Sequence, residues 1–293
     1  MSLLALLASL LAQHARPVGA RQPLLAFYGR MCLSAAKRLN AGDRNSGLLA
    51  WAVLMGAVLI PVALVAALAS ALHAMVLWAL EVAFLYATLR FFATTSSLAA
   101  IEHALREGDA RAAASLLGTW RAEPLESEDP AVIAQLAAEH GLREAHQGTF
   151  APLFWYLVLP GPLGLVLYPL ALRAARSWEH VADPEDRDFG WFAARAFRVI
   201  DWVPQRLSAF VFAIAGNFED ALYCWRSQAP QWMHPDEGIV LASGAGALGV
   251  KLGGFGTGEA AREDALASLE GLLWRVLVVW LIVFLLAAAL TVG

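Results

Sequence analysis

The stretch that decides the fold is Leu48-Leu-Ala-Trp-Ala-Val-Leu-Met-Gly-Ala-Val-Leu-Ile-Pro-Val-Ala-Leu-Val-Ala-Ala-Leu-Ala-Ser-Ala-Leu72. It carries no charge, and at 1.5 Å per residue it is long enough to cross about 30 Å of hydrocarbon as a helix. Pro61 in its middle lacks an N–H and crowds the preceding turn, so a kink is expected there. Only Ser70-Ala-Leu-His73 precedes a second apolar run, Ala74 to Phe92, so the two runs predict a tight transmembrane hairpin. Glu81 lies inside the second run. An acid at that depth costs about 3 kcal/mol on insertion scales, so Glu81 is expected to face protein or water. Leu272 to Val292 is a third span, with Trp274 and Trp280 near its entry, where interfacial tryptophans gather.

Composition agrees. Apolar residues make up 59% of the chain and charged residues 16%, against the 45–50% and ~25% of soluble domains. A net charge of −4 without a basic stripe excludes a nucleic-acid binder. Cys32 and Cys224 are the two cysteines; they offer neither metal spacing nor a disulfide framework and read as packing residues. Leu3 to Ala12 is apolar but too short to span, and without a basic start or a small-residue cleavage pattern it reads as a retained helix at the interface or packed on other helices.

Orientation follows from charge. Segment 13–47 carries Arg16, Arg21, Arg30, Lys37, Arg38 and Arg44 against Asp43 alone, which places it in the cytoplasm by the positive-inside rule. The hairpin returns the chain to that side, so residues 93–149 are cytoplasmic too. The run Ala151 to Leu172 is broken by Pro160-Gly-Pro162. A full crossing there would export Arg173, Arg176, Arg187, Arg195, Arg198 and Arg206, which favours a re-entrant or tilted hairpin over a crossing.

The expected fold is an all-α integral membrane protein with three clear transmembrane helices, a broken or re-entrant hydrophobic hairpin and a small cytoplasmic helical insertion. Its linear parts are an interfacial helix and basic segment (1–47), the transmembrane hairpin (48–92), the acidic insertion (93–149), a core with broken hairpin, amphipathic helix and Gly-rich loop (150–258), and the C-terminal span (259–293).

In the insertion, nine acids face four arginines, and Leu98, Ile101, Leu105, Ala112, Leu116 and Leu117 recur at helical spacing. Gly108-Asp109 reads as a turn and helix cap, and Ser127-Glu-Asp-Pro130 as the start of a third helix. The acidity reads as a solvated surface, with docking of a basic protein partner as the sharper alternative. Glu139, His140, Glu144 and His146 read as solvated polar residues of a helix; no metal site is expected from them. Phe192 to Ile214, apolar with Arg195, Arg198 and Arg206 near one side, reads as an interfacial amphipathic helix broken at Val203-Pro204.

Gly244-Ala-Gly-Ala-Leu-Gly249 matches G-x-G-x-x-G, but Val250-Lys-Leu-Gly-Gly-Phe-Gly is a poor continuation for the helix that a dinucleotide fold requires. As a phosphate loop it also fails, because Val250 displaces Lys251 and Leu252 replaces the hydroxyl that binds magnesium. Two readings stay open: a glycine-rich anion loop with Lys251 beside it, or glycines that let helices approach closely.

Three phrases occur in order: Ala151-Pro-Leu-Phe-Trp155, Asp201-Trp-Val-Pro-Gln-Arg-Leu207 and Gly246-Ala-Leu-Gly-Val-Lys-Leu-Gly-Gly254. With the Glu107-Gly-Asp109 helix start they resemble the CobD/CbiB family of membrane proteins and its relative AmpE, over most of the chain. The resemblance implies an inner-membrane protein of a bacterium. For CobD/CbiB it implies a step of cobalamin biosynthesis in which adenosylcobyric acid is joined to an aminopropanol, or its phosphate, through an amide, with ATP. For AmpE it implies an association with control of β-lactamase induction. Where the enzymes of the family carry an acid-and-asparagine run, this chain has Glu144-Ala-His-Gln-Gly-Thr149, without the Asp. Pro235-Asp236 and Gly238 persist before the glycine-rich phrase, but the following Glu position is Leu241. Holding magnesium against phosphates needs oxygen ligands. The first reading is therefore an AmpE-like auxiliary or signalling member. The second is a working synthase, with ATP and magnesium as cofactors, a corrinoid as partner, and Asp236, Glu237, Lys251, Arg206, Gly246 and Gly249 as the substrate- or anion-binding candidates. Transport is disfavoured, since three or four spans are too few for the usual inverted repeats.

Overall fold

The computed structural model describes residues 2–15, 23–179, 187–232, 235–253, 259–260 and 263–292. Thirteen α-helices are found among them: α1 (Ser2–Ala15), α2 (Pro23–Leu39), α3 (Arg44–Leu72), α4 (Ala74–Thr88), α5 (Phe91–Arg106), α6 (Ala110–Arg121), α7 (Pro130–Ala145), α8 (Ala151–Val158), α9 (Leu163–Glu179), α10 (Arg187–Ala215), α11 (Phe218–Gln228), α12 (Pro235–Leu248) and α13 (Glu263–Val292). A π-turn, His146–Phe150, joins α7 to α8, and a 3₁₀ turn, Ala229–Gln231, follows α11. Strand structure among the described residues is limited to β1 (Val250–Lys251), which pairs in parallel with β2 (Glu259–Ala260). The chain is thus the expected all-α membrane protein. Three stretches are long and apolar enough to span a bilayer: Arg44–Leu72, Ala74–Arg106 and Asp264–Leu290.

The chain divides into two compact units, Met1–Leu89 with Ala151–Val203, and Arg90–Phe150 with Pro204–Gly293.

In the first unit, Asp43 caps α3 by accepting the Ser46 N–H at 2.9 Å; the Ser46 side chain and then this N–H hold its carboxyl below the usual aspartate range. Pro61 sits within α3 as expected. His73 ends α3 and caps α4 with its Nδ1 on the Met75 N–H, 3.1 Å. The N-terminal helix α1 packs on α4: Gln13 Nε2 donates to the carbonyls of Tyr86 and Leu89, each at 3.1 Å. Those carbonyls are free because α4 ends there. Glu81 is buried and accepts the Tyr156 hydroxyl at 2.9 Å, the protein-facing environment that an acid in lipid requires. Helices α8 and α9 fold back on each other around Leu159–Pro162. Gly164 is required at their crossing, because a Cβ there would run into the Trp155 carbonyl. The broken hairpin is therefore present. The core of this unit gathers Tyr28, Cys32 and Ala36 of α2, Leu54 and Val58 of α3, Val166, Leu170 and Trp178 of α9, and Phe189. Trp178 Nε1 donates to the Cys32 carbonyl at 2.9 Å. Burial pushes the Cys32 thiol up to about 11.

In the second unit the helices of 93–149 are where the sequence put them. Asp109 caps α6 through the Ala112 N–H at 2.9 Å, and Asp129 caps α7 through Ala131 at 2.9 Å, with Pro130 in the first turn. Their acids Glu107, Asp109, Glu123, Glu126, Glu128 and Asp129 are exposed, while their apolar residues pack inward. Leu98, Ile101, Leu117, Ile133, Ala134 and Leu142 are buried, and α5 and α7 pack on α13 and α12. Helices α5 and α7 meet the C-terminal span, whereas α6 packs on α5 and α7 and leaves its Leu116 exposed. Where the sequence reading set a glycine-rich loop at 244–249, the chain is helical through Leu248.

Candidate functional site

The site is built on the last two turns of α7. Gly141 lies against Leu98 and Leu269, whose methyls would be 3.0 and 3.2 Å from an added Cβ. This brings α7 close to its neighbours. After Ala145 the helix widens into the π-turn His146–Phe150, in which all five residues are buried. A π-turn inserts one residue into the helical register, re-aims the side chains around it and is frequent at functional sites.

Four polar side chains are buried in or beside that turn: Glu144, His146, Gln147 and Thr149. Glu144 Oε2 pairs with Arg90 Nη1 at 2.7 Å, the two side chains being 10% and 25% exposed. Arg90 is locked in place. Its N–H donates to the Gly148 carbonyl at 3.0 Å, and its side-chain stem lies where a Cβ of Gly148 would stand, 3.1 Å away. His146 Nδ1 lies 2.9 Å from the Ser208 hydroxyl of α10; the imidazole tautomer decides which of the two donates. Gln205, one turn earlier on α10, is buried as well. The Thr149 hydroxyl is fully buried and has no hydrogen-bond partner among the described residues.

The sequence reading took Glu144 and His146 as solvated. That is corrected: Arg90 and Ser208 neutralise or satisfy them, so burial is tolerated. Arg90 itself was missed. An arginine at the end of an apolar run reads as a cation that snorkels to the interface, so nothing local marked its buried acid.

The residues just before, Glu139 and Arg143, reach a second, more open group. Arg143 Nε pairs with Glu237 Oε2 at 3.0 Å, and both side chains are about a third exposed, 29% and 32%. Glu139 Oε1 accepts the Gly253 N–H at 2.7 Å and the Gln135 amide at 2.8 Å. Glu139 and Arg143 therefore do not pair with each other as an isolated i,i+4 couple. They hold the two ends of one motif. Trp232 packs between those ends: a Cβ on Gly238 would sit 2.9 Å from its Cβ, and one on Gly253 would sit 2.6 Å from its ring. Residues 249–253 thus double back toward the start of α12.

Of the site residues named from the sequence, Glu237 is drawn into this group. Lys251 is exposed on β1, close in sequence to Gly253. Arg206 is half-buried on α10 with polar partners of its own. Gly246 lies inside α12, where a Cβ would strike the Asp220 carbonyl of α11. Gly216 closes the same contact from α11's side, and the Asn217 N–H donates to the Ala247 carbonyl at 3.1 Å. The role visible for Gly246 is close helix approach, the second of the two readings left open above. Gly249 has φ +69° and ends α12, a conformation that glycine adopts without strain. Asp236 begins α12, but its side chain lies outside the described residues, as does Gly254.

A magnesium nucleotide needs several oxygens on one cation. Among the described residues no three His, Cys, Asp or Glu groups converge. Glu139, Glu144 and Glu237 are each committed to an N–H or a guanidinium. The described residues therefore do not form a magnesium site.

The sequence matches the CobD/Cbib protein family over residues 3–268. The chain belongs to that family. A protein of Stutzerimonas stutzeri named cobalamin biosynthesis protein CobD is 33% identical over 280 residues, 90% of either chain. One of the same name from Chromobacterium violaceum is 37% identical over 173 residues, 59% of this chain and 55% of that protein. Cobalamin biosynthesis protein CbiB of Salmonella choleraesuis is 28% identical over 227 residues, 74% of this chain and 70% of that protein. No solved structure matches.

Proposed function

We propose that this membrane protein acts in cobalamin biosynthesis, forming the amide between a corrinoid carboxylate and an aminopropanol or its phosphate with ATP. The observation that carries the reading is similarity to a protein named for that pathway along 90% of both chains. The structure supports it with a feature that a scaffold alone does not need: an open Arg143–Glu237 pair directly beside the closed Arg90–Glu144 pair on successive residues of α7. In this reading Arg143 and Lys251 face the anionic groups of the substrates, and the buried pair fixes the helix that carries Arg143. The protein sits in the bacterial inner membrane, with 13–47 and 93–149 on the cytoplasmic side where ATP is available.

A second reading, an AmpE-like auxiliary role with a protein partner on the acidic helices, is favoured by one observation. Glu139, Glu144 and Glu237 are each tied to a structural partner. The deciding experiment is amide formation by the purified protein in detergent, with ATP, adenosylcobyric acid and aminopropanol phosphate, read by mass spectrometry. Product supports the first reading, and its loss in Arg143→Ala ties it to this site. No product, with a CobD enzyme active alongside, leaves the auxiliary reading.

A further inference from the structure

Helix α2 has two faces. Tyr28, Cys32 and Ala36 are buried against α3 and α9. At 100° per residue, Phe27, Arg30, Leu33, Ser34, Lys37 and Arg38 fall within one arc of about 140° on the opposite side. Phe27 and Leu33 are each 46% exposed, and the three cations are exposed as well. Arg30, Leu33, Ser34, Lys37 and Arg38 line a groove of about 450 Å³. Arg30, Lys37 and Arg38 make no ion pair among the described residues, whereas the next cation, Arg44, is held by Asp188 at 3.2 Å and stacks on Trp191. Three uncompensated cations on one face stand out in a chain whose net charge is −4.

The position of the face names its ligand. Asn40 to Asp43 join α2 directly to the spanning helix Arg44–Leu72, so Lys37 and Arg38 stand within a few residues of a membrane entry. Exposed phenylalanine and leucine beside the cations offer a footing for acyl chains. A site for a freely soluble anion has no use for them.

We propose that this face of α2 is a binding site for an anionic phospholipid. The headgroup phosphate lies in the groove between Arg30, Lys37 and Arg38, and the upper acyl chain covers Phe27 and Leu33. Basic residues next to a span attract acidic headgroups, and the attraction fades with salt. The site is independent of the reading given for the α7 residues, because no residue is shared.

The test is lipid retention by the full-length protein in a non-ionic detergent, measured by native mass spectrometry with added phosphatidylglycerol or phosphatidylcholine. Phosphatidylglycerol should be retained in clear preference. The variant Arg30→Gln/Lys37→Gln/Arg38→Gln should lose about tenfold of that preference, and Arg111→Gln, an exposed arginine of the second unit, should lose none. Arg30→Lys/Arg38→Lys should keep it. If the triple variant does not fold, the single Lys37→Glu variant carries the test, with at least a threefold loss expected. Equal retention of both lipids by the wild type, or an unchanged preference in the variants, would overturn the proposal. So would displacement of the lipid by millimolar inorganic phosphate, which would mark a soluble-anion site.

Discussion

The two units bury polar groups in different ways. In the first, buried polar side chains bond to backbone carbonyls or to a tyrosine: Ser9, Gln13 and Thr88 meet backbone carbonyls, Glu81 meets Tyr156, and Asp201 meets Tyr168 at 2.9 Å. These bonds let helices pack in an apolar surrounding. In the second, Arg90, Glu144, His146, Ser208, Gln205, Gln147 and Thr149 gather around one irregular turn. Scattered single bonds build a membrane scaffold. A cluster at a π-turn, with one hydroxyl left unsatisfied, retains polarity beyond what packing requires.

The largest effect expected is at Arg90. Arg90→Ala leaves Glu144 as an unpaired buried acid and should destabilise the protein by about 3 kcal/mol, seen as a lower midpoint of thermal unfolding in detergent. The paired change Arg90→Met with Glu144→Leu removes both charges and should restore most of that midpoint, because apolar replacement of a whole buried pair is close to neutral. If the double variant is stable and still makes amide, the cluster is structural in the same sense as those of the first unit. Stability without product would sharpen the contrast.

Next comes Gly246→Val, which drives a branched side chain into the Asp220 carbonyl and should cost about 2–3 kcal/mol by separating α11 from α12. Gly271→Ala of α13 meets nothing within 4 Å and should be neutral or slightly stabilising. Equal effects of the two would remove the argument that α12's glycines serve close helix contact.

The architecture was legible because the physics of insertion is local. Uncharged runs such as Leu48–Leu72, the Pro160-Gly-Pro162 break, and the Asp109 and Asp129 caps each depend on a few neighbouring residues. The site was legible only in part. Glu237 was named from its place before the glycine-rich phrase, but its partner Arg143 is 94 residues away in sequence. Glu144 and His146 looked solvated because helical spacing continues through them. The π-turn that follows Ala145 interrupts that spacing, and the bond that ties it down, the Arg90 N–H on the Gly148 carbonyl, is a long-range contact. The Gly244–Gly249 pattern resembled a loop for the converse reason. Glycine lowers helix propensity, yet neighbours that demand close approach make it the residue that fits.

In the first unit, Tyr156→Phe removes the hydroxyl that donates to Glu81 and should cost about 1 kcal/mol in thermal unfolding, the usual scale for a single buried bond in a membrane protein. A loss as large as that of Arg90→Ala would show that Glu81 belongs to a cooperative polar centre, and the contrast between the units would fail.

The smallest effect separates the units by their thiols. Cys32 is fully buried in the first unit, and Cys224 of the second is 7% exposed; burial raises both, the Asp220 charge adds to the rise at Cys224, and the Gln228 amide 3.2 Å from its sulfur opposes it. A protonated thiol is a poor nucleophile, so alkylation of the folded protein at pH 7.5 should be slow at both, with Cys224 modified first. Because burial pushes the Cys32 thiol up to about 11, its rate should keep climbing roughly tenfold per pH unit past pH 9, where an ordinary thiol levels off. The sign for stability follows from the raised value: the folded state favours the neutral thiol. Its contribution is complete below pH 9 and is lost as pH rises toward about 11. Site-resolved mass spectrometry of alkylated peptides against pH measures both. Cys32 reacting before Cys224 would mean that the first unit opens more readily than the second, which a scaffold held by its own buried core should not do.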